Sequence, residues 1–322
     1  MTLKVAAPDG IDGDAKALFK SSDAFQWVET DAWRAEGCDL LIVRSATKVN
    51  APLLEASPQL KFVIRAGVGT DNIDFDACDK HGVAVWNAPE GNFQSTAELA
   101  IGMIFSLFRA IPEATTTTKL GEWKKADLSK RGRQLNGSKL GVLGLGNIGL
   151  RVARMGRALG MDVVGADPFY KGDEFPVVSL EALFSSVDVV SLHMPLTHTT
   201  KGIVTRELLE RTRPGFFLVN TARGGLVDER DLVELLESGH LGGVGLDVFA
   251  EEPIKLSEAL TKRLVSLPNV VLSPHVGAAT KEAQRAVGLE SWQKASRIAE
   301  DTQAIREFRD RPLLLPKLPR WR

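Results

Sequence analysis

Short apolar runs, separated by stretches with helical spacing, set the pattern of this chain. Leu140 to Leu143 is an apolar run suited to a central parallel strand buried on both faces. Ile148, Val152, Met155 and Leu159 follow at helical spacing, Gly160 ends the stripe, and Met161 to Ala166 forms the next run, closing on Asp167. Upstream, the pattern predicts strands at Leu3 to Ala7, Asp39 to Val43, Lys61 to Ala66 and Val83 to Asn87, with helical segments at Ala51 to Ala56 and Asp74 to Lys80. Downstream it predicts strands at Val187 to Leu192, Phe216 to Asn220, Val244 to Val248 and Val270 to Ser273. Helices with N-caps at Ser179, Thr205 and Asp228 separate them. Such alternation builds parallel sheets covered by helices on both faces, so the expected fold is α/β with two doubly wound parallel-sheet domains.

Between the two groups of strands, Ser95-Thr96-Ala97-Glu98 reads as a capping box that opens an apolar helix running to about Arg109. Apolar residues in that helix are too dense for a one-sided amphipathic element, which points to burial between domains or subunits and favours a two-fold dimer. The basic stretch Lys119 to Arg133 is open to two readings, a solvated connecting loop or a phosphate-facing loop. A long helix is expected from Thr280 past Trp292 to Glu300. The proline-broken tail Pro312 to Arg322 is expected to pack back on the first domain.

Composition narrows the function classes. The 322 residues suffice for two domains, and 25% charged with 44% hydrophobic residues is ordinary for a globular protein. A net charge of −1 gives no reason to expect a nucleic-acid or membrane partner. Cys38 and Cys78 are the only cysteines, so neither a disulfide framework nor a cysteine metal cluster is expected, and a reducing cytoplasm fits. The N-terminus carries no apolar signal segment, and Leu99 to Phe108 is too short to span a bilayer.

Candidate chemistry begins at the turn after the Leu140 strand. Gly144, Gly146 and Gly149 give G-x-G-x-x-G, in which the glycines permit a tight turn, close approach to a pyrophosphate, and close helix–strand packing. The following helix N-terminus favours phosphate. Asp167, at the next strand end, is placed to accept from a ribose diol, which favours NAD over NADP. Further polar residues stand at later strand ends: Arg223 in Asn220-Thr221-Ala222-Arg223, Glu252 before Pro253, and His275 after Ser273-Pro274. Singly, each has an ordinary structural explanation as a helix cap, an ion-pair partner or a satisfied histidine. Together, on the edge that carries the glycine turn, they form a set that grips a carboxylate, moves a proton and orients the base. Two strand ends in the first half also carry polar loops, Arg44 in Val43 to Lys48 and Arg65 in Arg65 to Asn72.

The segments RAGVGTDNID, GLGNIG, NTARGGLVDE, LDVFAEEP and SPHVGAATKEAQ, in this order and covering nearly the whole chain, resemble the motifs of the D-isomer-specific 2-hydroxyacid dehydrogenase family. VRSATKV with the Arg65 loop resembles its D-3-phosphoglycerate dehydrogenase branch. The resemblance implies a flavodoxin-like substrate domain over residues 1–98, a Rossmann NAD-binding domain over 99–285 and a return to the substrate domain over 286–322. The family's catalytic residues fall on Arg223, Glu252 and His275. Its NAD contacts fall on Gly144, Gly146, Asn147, Ile148, Gly149, Asp167, Thr221, Ala222, Asp247, Gly277 and Ala278. Its substrate contacts fall on Arg44, Arg65, Gly67, Val68 and Gly69. The implied reaction is NAD-dependent oxidation of a small anionic 2-hydroxy acid in the interdomain cleft, 3-phosphoglycerate to 3-phosphohydroxypyruvate in serine biosynthesis, by a cytoplasmic homodimer without a metal.

The match departs from its branch at Trp123, where Lys124-Lys125-Ala126-Asp127-Leu128 replaces the usual Arg-Lys-Lys-Phe, and at Met194, where threonine is usual. Glyoxylate, hydroxypyruvate and sulfolactate remain alternative substrate types. An NAD-sensing co-repressor role is an alternative of another class. The chain ends at Arg322 without the regulatory extension of longer relatives, so no serine inhibition through such a module is expected.

Overall fold

The computed structural model describes residues 2–29 and 37–300, so the Pro312–Arg322 tail lies outside the described residues. In chain order the elements are β1 (Leu3–Ala6), α1 (Gly13–Ser21), β2 (Phe25–Trp27), β3 (Leu40–Val43), α2 (Ala51–Glu55), β4 (Phe62–Arg65), α3 (Phe75–Lys80) and β5 (Ala84–Asn87). They are followed by α4 (Phe93–Phe108), α5 (Ile111–Lys119), α6 (Lys125–Arg131), β6 (Lys139–Leu143), α7 (Asn147–Ala158), β7 (Asp162–Ala166), α8 (Leu180–Ser186) and β8 (Val189–Leu192). The last are α9 (Arg206–Glu210), β9 (Phe216–Asn220), α10 (Glu229–Glu237), β10 (Leu241–Leu246), α11 (Ala259–Ser266), β11 (Val270–Leu272) and α12 (Lys281–Glu300). The described residues divide into two compact units, one holding those up to Phe93 and those from Ala278 to Glu300, the other Gln94–Gly277. The sequence placed these breaks after 98 and 285.

The first unit is built on a five-stranded sheet in the order β2-β1-β3-β4-β5, parallel throughout. This is the flavodoxin-like order, whose strand sequence reverses between β1 and β3. β3 is buried at all its positions, as a strand covered on both faces must be. One face packs Leu41, Val43, Val63 and Val85; the other packs Leu40, Ile42, Ile64 and Phe19 with Val287 and Ala295 of α12. Close approach of α12 to α1 is possible because Gly288 presents no side chain to Asp12 and Ala15. β2 and α1 have no counterpart among the predicted elements.

The second unit carries a six-stranded parallel sheet, β11-β10-β9-β8-β6-β7. Val177 adds a single parallel bridge beside β7 at Gly165. Counted as a vestigial third strand, it completes the 3-2-1-4-5-6 Rossmann order, extended by one strand, with the switch point between β6 and β8. α4 buries Ala97, Ala100, Met103, Ile104 and Phe108 against Leu140, Val142, Phe217 and Val219. Its opposite side leaves Phe105 exposed at 37%. No single helix among the described residues is long and apolar enough to cross a membrane.

Two local readings are corrected. Ser95 and Glu98 do not open α4: the helix starts at Phe93, entered from a 3-10 turn over Glu90–Asn92, and Glu98 instead accepts from the Gln94 side-chain amide at 2.8 Å. A preceding 3-10 turn offers carbonyls to the first helical N–H groups, so no side-chain box is needed. The basic stretch is not a loop throughout, since Lys125–Arg131 forms α6, a helix with no buried residue. Arg131 pairs with Glu113 at 2.6 Å. Arg133 pairs with Asp188 at 2.5 Å, donates to the Gly215 carbonyl and stacks on Phe108 and Phe217. Asp188 and Gly215 precede β8 and β9, so Arg133 serves the amino edge of the second sheet, opposite its glycine turn.

Candidate active site

All strands of the second sheet point the same way, so the loops after β6, β7, β9, β10 and β11 rise on one edge. The glycine turn follows β6. Gly144 has φ +97°, and a Cβ there would lie 2.7 Å from the His193 carbonyl oxygen, where β8 ends. A Cβ on Gly149 would lie 1.8 Å from the Gly144 carbonyl oxygen, so α7 sits directly on the turn. Gly146, by contrast, faces open space. It is the N-cap of α7 and supplies no side-chain cap, which leaves the first N–H groups of a twelve-residue helix aimed past the turn. Uncapped N–H groups at a helix start, with a bare approach, constitute an anion site. Burial of the imidazole of His193 beside it pushes its pKa down to about 3, so it is neutral; its Nε2 meets Ser191 Oγ at 2.8 Å.

Asp167, after β7, accepts from the Leu145 N–H and the Phe169 N–H, each at 2.8 Å, one on each oxygen. The first bond ties the carboxylate to the glycine turn. A carboxylate oxygen can accept more than one bond, so capacity for a ribose diol remains. After β9, Asn220 is fully buried and holds the Arg223 loop at two points, accepting from the Ala222 N–H at 3.0 Å and donating to the Arg223 carbonyl at 2.8 Å. Thr221 places a buried hydroxyl without a partner among the described residues at the same strand end. An unpaired buried hydroxyl, a bare glycine approach and an uncapped helix start fit a dinucleotide.

Arg223, Glu252 and His275 are brought to this edge by the loops after β9, β10 and β11. His275 Nδ1 lies 2.6 Å from Glu252 Oε2, and Glu252 Oε1 accepts from the Phe249 N–H at 3.0 Å. Burial opposes charge on Glu252, but the His275 and Phe249 bonds, with the charge of Arg223, hold its carboxyl below the usual range. The His275 backbone is left-handed at φ 54°, an uncommon state for a residue with a Cβ. Asp247 stabilises it: 1% exposed, it accepts from Ser273 Oγ at 2.6 Å and from the Val276 and Gly277 N–H groups at 2.8 and 2.9 Å, while its carbonyl takes the His275 N–H. Gly277 and Ala278 follow directly on this loop. The loop-holding bonds of Asp247 escaped sequence reasoning because they join groups 26 to 30 residues apart, and those of Asn220 because they are local bonds that leave no mark on the apolar pattern.

In the first unit, the loop after β3 is fastened by Asp9, which accepts from the Arg44 N–H at 2.6 Å and from the Thr47 hydroxyl at 2.6 Å. Asn72 donates to the Arg44 and Thr47 carbonyls. Neither residue was singled out from the sequence. Among the described residues, nothing pairs with the Arg44 guanidinium. Arg65 ends β4, the neighbouring strand, and lays its guanidinium over Ala66 and Gly67. The Val68 and Gly69 N–H groups have no acceptor among the described residues, while the Val68 carbonyl is taken by Asn87.

Residues 101–277 match the family described as "D-isomer specific 2-hydroxyacid dehydrogenase, NAD binding domain". The chain is 45% identical over 258 residues to a hydroxypyruvate reductase of Thermotoga maritima, covering 80% of this chain and 83% of that protein. It is 42% identical over 291 residues to a D-3-phosphoglycerate dehydrogenase of Bacillus subtilis, covering 88% of this chain and 54% of that protein. It thus spans about half the length of that dehydrogenase. Among solved structures, the TT0316 protein of Thermus thermophilus is similar with a TM-score of 0.83 at 30% identity, covering 98% of this chain and 100% of that one. The fold agrees with these matches, and the chain belongs to the D-isomer-specific 2-hydroxyacid dehydrogenase family, its Gln94–Gly277 unit holding the matched NAD-binding domain.

Proposed function

We propose that this NAD-dependent 2-hydroxyacid dehydrogenase oxidises 3-phosphoglycerate to 3-phosphohydroxypyruvate, the serine-forming branch of its family's chemistry. The observation that carries the substrate is the uncommitted Arg44 guanidinium on a loop pinned by Asp9 and Asn72, one strand from Arg65. Two arginines on adjacent strand ends suit a substrate with a second anionic group, because phosphate takes several charge-assisted donors. The free N–H groups of Val68 and Gly69 suit the carboxylate.

NAD, when bound, supplies the acceptor for the hydride leaving C2. Asn147 and Ile148, with the glycine turn, are the residues for its pyrophosphate. Asp167 takes its ribose, and Thr221, Ala222, Asp247, Gly277 and Ala278 take its nicotinamide end. His275, bound through Nδ1 to Glu252, offers Nε2 to the 2-hydroxyl and takes its proton as the carbonyl forms. Glu252 orients the ring and stabilises the imidazolium. Arg223 grips the carboxylate and polarises the new carbonyl.

A second reading, reduction of hydroxypyruvate, is favoured by the 45% identity to the Thermotoga maritima protein, most of whose length is matched. Arg44→Gln separates the two. A hydrogen bond to a charged group contributes about 1.5–3 kcal/mol, so the variant should lose about 10- to 100-fold in kcat/KM for 3-phosphohydroxypyruvate. The loss on hydroxypyruvate, which lacks the phosphate, should be much smaller. Equal losses on both would remove the phosphate role. The dimer is proposed on the apolar surface of the stretch from α4 to Trp123, where Ile111, Leu120 and Trp123 are exposed at 46%, 70% and 83%. Sedimentation of wild type should give a dimer that Trp123→Ala weakens, and a monomeric wild type would contradict it.

A further inference from the structure

We propose that Glu229 is a positioning residue for the acid–base pair: its carboxylate clamps the turn that carries Glu252 and so keeps Glu252 on His275. The proposal rests on the hydride-transfer reading of the site. Glu229 is the first residue of α10, behind the N-cap Asp228, and its Oε1 accepts from the Ala250 N–H at 2.7 Å. The preceding N–H in the same turn, that of Phe249, is taken by Glu252 itself. Two carboxylates therefore hold consecutive N–H groups of one short turn. The helix N-terminus favours the charge on Glu229.

The same turn is pressed from the other side by the arginine loop. A Cβ on Gly224 would lie 2.0 Å from the Phe249 carbonyl carbon and 2.4 Å from the Ala250 nitrogen, so the two loops meet backbone to backbone. Glu252 has little freedom while Ala250 is held. Without the Glu229 bond, the Ala250 N–H loses its acceptor and the turn can swing on the Gly224 contact, carrying Glu252 away from His275. The other charged groups near the pair are fixed by different bonds. Asp247 is committed to Ser273, Val276 and Gly277, and Glu251 pairs with Lys255. Arg223 acts on Glu252 through its charge.

Glu229→Gln keeps an acceptor oxygen for Ala250, whereas Glu229→Ala removes it. The alanine variant should lose about tenfold in kcat, part of the ~10²–10⁴ that general acid–base catalysis contributes. Its KM and NADH affinity should stay near wild type. Hydrogen exchange at residues 249–252 should quicken in the alanine variant, and the glutamine variant should restore both kcat and exchange. Unchanged kcat and exchange in Glu229→Ala would overturn the clamp. Faster exchange in Glu229→Ala, in a protein whose wild type turns over no 2-hydroxy acid, would instead leave the clamp standing and remove the dehydrogenase reading.

Discussion

Replacing His275 with alanine should cut kcat by about 10²–10⁴-fold, the range that a positioned general acid–base contributes. NADH affinity should remain within about twofold, because the uncapped α7 start and Asp167 are separate from the histidine loop. His275 is bonded through Nδ1 to Glu252, and the left-handed backbone that presents it is held by Asp247 rather than by its own side chain. The loop should therefore survive the substitution, and the loss should read as chemistry. Steady-state kinetics with an NADH fluorescence titration checks both halves. Turnover like wild type would refute the base assignment.

Gly149→Ala should be nearly as damaging, for a different reason. The new Cβ would fall 1.8 Å from a backbone oxygen of the glycine turn, which no rotamer change relieves. Either the turn opens or α7 withdraws. Overpacking of this kind costs about 1–3 kcal/mol and sometimes more. In a unit of this size each kcal/mol shifts Tm by about 2–4 °C. Because the chain folds as two units, calorimetry should place the shift in the transition assigned to the NAD-binding unit. NADH affinity should fall with it, since the N–H groups at the start of α7 lose their aim. An unchanged Tm together with unchanged NADH binding would contradict the close-packed turn.

The central strands were readable because they are covered on both faces: β8 and β9 are buried at every position, and their apolar runs stand out without any need for alternation. The N-caps at Ser179, Thr205 and Asp228 were readable because capping needs only a local side-chain oxygen, and each accepts from an N–H two or three residues on. β2 was missed because three residues on a sheet edge carry almost no periodic signal. α6 was missed because a helix with no buried residue has no apolar stripe to read. The vestigial bridge at Val177 is a single residue and can be found only through its partner, Gly165.

The site divides the same way. Arg223, Glu252 and His275 were legible as polar residues at strand ends of a sheet whose direction the glycine turn reveals. The bonds that aim them were not. Asn220 holds the loop that directly follows it, Glu229 reaches a turn 21 residues ahead and Asp247 reaches a loop 26 to 30 residues ahead. Hydrophobic period encodes none of these bonds, and the longer ones appear only when the strands are laid side by side. Asp9 and Asn72, which set Arg44, are 35 and 28 residues from it, and the same limit applies.

In this family's chemistry the edge transfers a hydride between NAD and a 2-hydroxy acid, and the proposed acid is 3-phosphoglycerate. Following NADH absorbance with the purified chain and a panel of 2-oxo acids, including 3-phosphohydroxypyruvate, hydroxypyruvate, glyoxylate and 3-sulfopyruvate, tests it most directly. NADH oxidation is expected with the highest kcat/KM on 3-phosphohydroxypyruvate, and absence of NADH oxidation on every acid of the panel would contradict hydride transfer at this edge.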